Sequence, residues 1–119
     1  MSSRAEREAQ GRRGETIAAW YLRLTGWRIL ARRLKTPRGE IDLVARRGRK
    51  LAFVEVKWRR SAAELDMAID GYRLRRVGAA AEAVATRFAR PDDVITIDVI
   101  LIAPGNWPRR LANAWQPGV

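Results

Sequence analysis

The side chains of this sequence with the means to do chemistry together fall in one stretch, Gly39 to Lys57, GEIDLVARRGRKLAFVEVK. Ile41, Leu43 and Ala45 alternate there with Glu40, Asp42 and Val44, and Ala52, Val54 and Val56 alternate with Phe53, Glu55 and Lys57. Period-two alternation in both runs predicts two strands. Gly48-Arg49 between them suits a two-residue type II′ turn, whose first central position wants glycine. Counting outwards from Arg47 paired with Lys50, Asp42 faces Glu55 and Glu40 faces Lys57. Directly opposed residues point to the same face. One face then carries Ile41, Leu43, Ala45, Ala52, Val54 and Val56, and the other gathers Glu40, Asp42, Glu55 and Lys57. A slip of one residue would turn Asp42 to the apolar side, where an unpaired charge is costly.

Two carboxylates about 4 Å apart repel by roughly 4 kcal/mol at an effective dielectric of ~20. Lys57 supplies one positive charge against them. A divalent cation would offset the rest: Mg²⁺, or Mn²⁺ in its place, takes carboxylate oxygens, keeps several waters and meets substrate phosphates. The plainer alternative is a solvated outer face laced with surface ion pairs, which contribute little.

Composition narrows the chemistry. The 119 residues suit one domain, 1–119, and 47% of them are apolar, enough for a core,. Lys and Arg number 24 against 13 Asp and Glu, a formal net charge of +11. That excess points to a polyanionic partner, and nucleic acid fits best. Five Trp and two Tyr could stack on bases or fill the core,. There is no Cys and no His. This excludes disulfides, thiolate zinc sites, cysteine nucleophiles, Ser-His-Asp triads, HExxH metal sites and histidine bases. Carboxylates, lysine, hydroxyls and a hard metal remain. The N-terminal MSSRAEREAQGRR has no apolar core, so it is no signal peptide,. No run approaches the ~18 apolar residues of a membrane span. The expected location is the cytoplasm, with no membrane partner.

The elements that must position these residues can be read in order. Ser2 or Ser3 can cap a helix from near Arg4, weakened by Gly11 and Gly14,. Ile17, Ala18, Tyr21, Leu22 and Leu24 give the helical stripe, and Gly26 is a good terminator. Glu15 sits at the edge of that stripe, where an acid can point to a neighbouring sheet or serve the helix dipole. Trp27 to Leu34 alternates as a short strand, and Lys35 to Arg38 reads as a loop. Arg46, Arg47, Arg49, Lys50, Arg59 and Arg60 form a cationic set at the turn and end of the hairpin, expected to contact phosphate. A loop from Ser61 leads to a helix secure over Arg73 to Phe88. Val94 to Ala103, VITIDVILIA, is a strand in which Asp98 needs a partner if buried. Residues 104–119 fit a packed tail or an extra short strand. The order α-β-β-β-α-β gives an α/β fold, a mixed central sheet flanked by helices.

GEIDL, a basic turn and FVEVK together resemble the PD-(D/E)xK nuclease motif. The chain as a whole resembles the bacterial UPF0102 family, predicted endonucleases distantly similar to archaeal Holliday junction resolvases. The likeness runs from GRRGETIAAWYLRLTGW through GEIDLV and FVEVKWRR to IDVILI. It implies a restriction endonuclease-like core. It implies Asp42, Glu55 and the Val56 carbonyl as metal ligands, and Lys57 orienting the attacking water or stabilising charge on the phosphorane. Glu15 would complete the site, and Glu40 is a further motif acid. The reaction would be Mg²⁺- or Mn²⁺-assisted hydrolysis of a DNA phosphodiester. The chain departs from the family at Arg32-Arg33, where an Asn is usual, and at Thr96-Ile97-Asp98, where Arg-Phe-Asp is frequent. It has arginines, Arg73, Arg75 and Arg76, where the second helix usually offers a lysine.

The expected function is therefore a metal-dependent DNA endonuclease, on branched DNA such as Holliday junctions by analogy. The same analogy extends to a homodimer, because a junction has two strands to cut. The competing class is a non-catalytic nucleic-acid-binding protein on the same fold. Both need basic charge, but a pure binder has no use for an acidic face that repels phosphate.

Overall fold

Ser3 opens the first helix, α1 (Arg4–Leu24): its Oγ accepts the Glu6 backbone N–H at 3.1 Å,. The computed structural model describes residues 3–60 and 71–115. In it α1 runs unbroken through Gly11 and Gly14. Burial of the stripe Gly14, Glu15, Ala18, Ala19 and Leu22 on the sheet outweighs glycine's helix cost of ~1 kcal/mol,. Gly26, at φ 95°, then turns the chain in a left-handed conformation that favours glycine,.

The strands are β1 (Arg28–Thr36), β2 (Gly39–Arg47), β3 (Lys50–Trp58), β4 (Val94–Ile102) and β5 (Arg109–Trp115). A second helix, α2 (Gly71–Phe88), lies between β3 and β4. The sheet order equals the chain order, β1-β2-β3-β4-β5. Only β3 and β4 pair in parallel, the one connection that needs a crossover, which α2 supplies. The expected mixed sheet flanked by helices is present, with β5 as one strand more, so residues 109–115 form the extra strand rather than a tail. The segment expected as a loop from Ser61 lies, up to residue 70, outside the described residues.

The hairpin turn is as anticipated. Arg47 pairs with Lys50, and Gly48 takes φ 61°. Arg49 is not among the residues with positive φ, which selects type II′ over I′,. The loop before it is shorter than expected. Lys35 and Thr36 belong to β1, and only Pro37-Arg38 turns. The Thr36 hydroxyl fastens that turn, donating to the Gly39 carbonyl at 2.7 Å and accepting the Arg38 N–H at 3.1 Å.

Neither face of the sheet is solvated. Leu43, Ala45, Ala52, Val54, Ile100 and Ile102 pack under α1, and Val44, Leu51, Phe53, Val99 and Leu101 under α2. Strands covered on both sides read as near-continuous apolar runs, which is why LAFVEV and VITIDVILI do. The single apolar hairpin face is therefore corrected: Ile41 packs with the α2 layer while Leu43 packs with the α1 layer. Alternation changes phase at Asp42. It also changes in β1, where a bulge lies between Ile29 and Ala31,. Asp98, fully buried, has the partners it needs: Arg110 Nε at 3.0 Å and the Asn113 N–H at 2.8 Å.

β5 docks on α2 through Trp115, and Gly78 makes the room. A Cβ on Gly78 would come within 2.2 Å of the Trp115 ring. Gly78→Ala is expected to lower the urea midpoint, an overpacking cost of about 1–3 kcal/mol less the ~1 kcal/mol helix gain. In a Trp115→Ala background the same change should stabilise. A destabilisation of equal size in both backgrounds would show that the ring is not what Gly78 accommodates.

Candidate active site

The ladder between β2 and β3 runs from Arg47–Lys50 to Leu43–Val54 and stops. Beyond it the Asp42 Oδ2 accepts the Val56 backbone N–H at 2.8 Å. A side chain thus stands where a backbone carbonyl would have been. The register expected by counting, Asp42 opposite Glu55 and Glu40 opposite Lys57, does not continue as a ladder, because β2 parts from β3 one residue earlier. On the β1 side the register places Asp42 opposite Arg33, which sits between the pairs Arg32–Leu43 and Leu34–Ile41 and takes φ 50°. That conformation is uncommon for a residue other than glycine. Both strands are therefore bent where the acid is placed.

The parting opens a cleft lined by Gly39, Glu40, Asp42, Glu55, Arg76 and Val77. Its volume is about 290 Å³. Glu55 and Lys57 share a face of β3, two residues apart, and join as an ion pair, Lys57 Nζ to Glu55 Oε1 at 2.8 Å, with the Lys57 side chain 5% and the Glu55 side chain 6% exposed. Glu40 is exposed at the cleft wall. Glu15 is buried on α1 and held by Arg33, whose Nε lies 2.9 and 3.2 Å from its two oxygens. The structure thus gathers Asp42, Glu55 and Lys57 and brings Glu15 near enough for its charge to act on Asp42.

Burial pushes the Asp42 carboxyl up from 3.8 to about 7, and the charge of Glu55 adds to the shift. The Val56 N–H works against it, and Glu15 and Glu40 add to the rise. Among the described residues no cation offsets the rise. A carboxylate so placed fits a hard divalent ion. Val56 brings its own oxygen to the same place, because the N–H and C=O of one strand residue point to the same edge, and the Val56 N–H points at Asp42,. Among the described residues no group of three or more His, Cys, Asp or Glu converges. The protein's ligands would be Asp42, Glu55 and the Val56 carbonyl, a number that suits an ion which retains several waters.

The cationic set is not one surface. Arg46 is buried, with side-chain nitrogens 2.9 and 2.7 Å from the two Asp93 oxygens and 2.9 Å from the Phe88 carbonyl. This pairing holds Asp93 down at about 2. Arg46 is thus corrected from phosphate contact to a tie between β2 and the end of α2. Arg47 donates to the Thr25 carbonyl at 3.1 Å and lies 4.8 Å from the centroid of the Trp27 ring. Arg49 and Lys50 are exposed at the turn. At ~3.3 Å per residue they stand about 17–20 Å from Glu55, at the far end of the hairpin rather than beside the cleft. Arg59 and Arg60 follow β3 just past Lys57. Two residues that counting along the hairpin did not place belong to the site, Arg33 and Arg76. Arg76 precedes Val77 on the buried stripe of α2, which puts it at the stripe's edge. Nothing in the sequence marks Arg33, because its place depends on the bent backbone.

An α/β fold whose mixed sheet parts over a half-buried aspartate, a buried glutamate and a buried lysine is the class that the fold and the site define. The comparisons then give the family. The model described as "Uncharacterised protein family UPF0102" matches residues 14–102. A UPF0102 protein of Sphingopyxis alaskensis is 65% identical over 115 residues, 97% of this chain and 99% of the relative. Another, from Erythrobacter litoralis, is 64% identical over 110 residues, 92% and 95% of the two chains. A third, from Rhizorhabdus wittichii, is 59% identical over 116 residues, 98% of each. The chain belongs to the UPF0102 family. Among the described residues no helix is long and apolar enough to cross a membrane.

The raised Asp42 carboxyl has a defined sign. The folded chain holds this proton more tightly than the unfolded one, so its contribution to stability is largest below pH ~4 and declines as pH rises to about 7,. Without added metal, Asp42→Asn should remove that decline and melt above the wild type at pH 8, by an amount on the order of 2 kcal/mol. Near pH 4 the two should melt alike. Mg²⁺ or Mn²⁺ should raise the wild-type midpoint at pH 8 by about 2.7 kcal/mol at a hundred times the dissociation constant, less at pH 5.5, and little in the variant. A variant still stabilised by metal would place the ion elsewhere.

Proposed function

We propose that this chain is a metal-dependent DNA endonuclease that hydrolyses phosphodiesters, on branched DNA by analogy with the resolvases. The observation that carries the reading is the half-buried Asp42 carboxyl in the cleft that the buried Glu55 shares, with Lys57 buried against Glu55. A surface built only to hold phosphate gains nothing from buried acids. Asp42, Glu55 and the Val56 carbonyl would hold Mg²⁺ or Mn²⁺. When bound, that ion supplies Lewis acidity and lowers the pKa of water. Lys57, held by Glu55, aims an ammonium into the reacting region, where it orients the attacking water or hydrogen-bonds the phosphate oxygens as negative charge grows. Arg76 on the cleft wall meets a phosphate of the bound strand. Glu15, fixed by Arg33, acts through its field and through water. The net charge of +11 supports DNA as the polyanion,.

A second reading, a nucleic-acid-binding protein without catalysis, draws on one observation. Among the described residues the acids do not form a set of three that could hold a metal. The two readings part in a cleavage assay on junction, flap and linear DNA with Mg²⁺ or Mn²⁺. Glu55→Gln and Lys57→Ala should each abolish cleavage and leave binding within severalfold. Equal loss of binding and cleavage would assign both residues a structural role, and a wild type that binds and never cuts would favour the second reading.

The salt dependence of binding separates the arginines. A footprint of about six phosphates gives a log-log slope of about −5. Replacing Arg59 and Arg60 by Ala should flatten it by one to two units. Arg46→Ala should lower the melting temperature and leave the slope unchanged. An unchanged slope in the first variant would move the DNA surface away from the end of β3.

A further inference from the structure

On the side of α1 away from the sheet, large apolar side chains stand in solvent. Trp20 is 63% exposed, Leu24 59% and Trp107, in the turn between β4 and β5, 75%. Single exposed apolar residues are ordinary, but a joined set marks a contact surface. These join: Ile17, Tyr21 and Pro108 complete a groove with them, with Thr16 at one end. Trp107 is braced edge-on against Tyr21, ring centroids 6.3 Å apart at 81°. The groove's volume of about 220 Å³ is below the range of drug-sized ligand pockets, so it suits a flat ring rather than a larger organic molecule,.

We propose that Trp20 and Trp107 form a stacking platform for unpaired bases of the DNA strand whose backbone enters the acidic cleft. The identity of the strand rests on the endonuclease reading. Charge selects this occupant over an apolar protein surface. From residue 9 to residue 39 the only acid is Glu15, which Arg33 holds, and from residue 99 to the end of the chain there is none. Arg13 and Arg23 flank the groove along α1 and are exposed. A basic track with interleaved exposed aromatics is how single strands are held without regard to sequence. Position fits as well. Thr16, at the end of the groove, follows Glu15, and its hydroxyl accepts a hydrogen bond from Arg32 at 3.0 Å. From the buried to the exposed side of α1 is about one helix diameter, 10–12 Å. That distance is spanned by about three stacked nucleotides. A single strand can leave the cleft, which opens beside α2, round the parted end of β2 and β3 and then pass over α1 to the platform, whereas a stiff duplex cannot bend around it,.

The test measures binding without metal, by anisotropy of a labelled oligothymidine of about a dozen nucleotides and of a blunt duplex of about twenty base pairs. Trp20→Ala and Trp107→Ala should each weaken oligothymidine binding by about 5- to 100-fold, the cost of one lost stacking partner, and change duplex binding by less than about twofold. Trp20→Phe should restore single-strand affinity to within about threefold and Trp20→Leu should not. Both positions are exposed, so unchanged melting curves are expected for every variant. Equal rescue by Leu and Phe would overturn the inference in favour of an apolar protein-docking surface. Equal loss on both DNAs, or no loss on either, would also overturn it. A wild type that stacks single strands yet never cuts any DNA would sink the endonuclease reading and leave the platform standing. Cleavage with platform variants of unchanged affinity would do the reverse.

Discussion

The hydrogen bond from the Val56 N–H to the Asp42 carboxylate, 2.8 Å long, takes the place of one rung of the β2–β3 ladder. A strand that leaves its neighbour in the middle of a sheet strands backbone N–H and C=O groups that must find partners. Here the departing strand leaves an aspartate behind as that partner. The bond therefore does two jobs. It satisfies a backbone donor that the parting would otherwise orphan, and it fixes an acid at the mouth of the gap. The Val56 carbonyl faces the same gap, so one local event assembles the oxygens from which the candidate site is made. Arg33 at φ 50° and the exchange of layers between Ile41 and Leu43 are the matching distortions on the strand's other side.

Much of this is legible in the sequence. The hairpin turn, the strands, the secure helix and the need of Asp98 for a partner follow from alternation, glycine placement and the cost of a buried charge. Asp42, Glu55 and Lys57 were gathered by counting register from the turn, and the structure gathers them too. Counting register fails only at its last step, because a regular ladder ends where the side chain of Asp42 takes the Val56 N–H. Sequence patterns report the average strand. They say nothing of a strand that bends, so the phase change at Asp42 and the bulge after Ile29 were hidden, and Arg33 with them.

The cations show a second limit. Adjacent arginines in one strand point to opposite faces, so Arg46 and Arg47 cannot share a fate. Arg46 goes under the end of α2, where Asp93 and the Phe88 carbonyl take its side chain. Arg47 lies over Trp27, whose ring also meets Arg110, the residue that holds Asp98. The net charge of the chain overstates what is presented to a polyanion, since part of it is spent on holding elements together. What remains is distributed along α1, β1, the hairpin turn, the end of β3 and α2.

That distribution bears on why Asp42 is left to a raised pKa. Two of the basic side chains about the site are committed in pairs, Lys57 to Glu55 and Arg33 to Glu15, while Arg76 lines the cleft wall. Each pair is close to neutral as a unit, so neither offsets the charge of Asp42. Among the described residues no basic side chain pairs with it. An excess of +11 elsewhere does not help, because exposed charges beyond about 8 Å are screened at physiological salt,. A fold rich in arginine could have placed one against Asp42 at small cost, as Asp93 and Asp98 each received one. Such a pair would hold the acid ionised, like Asp93 at about 2, and would occupy its oxygens. Leaving Asp42 to burial and to its neighbour's charge keeps a site whose compensation none of the described side chains supplies. A proton can supply it below about pH 7, and a divalent cation can supply it above,.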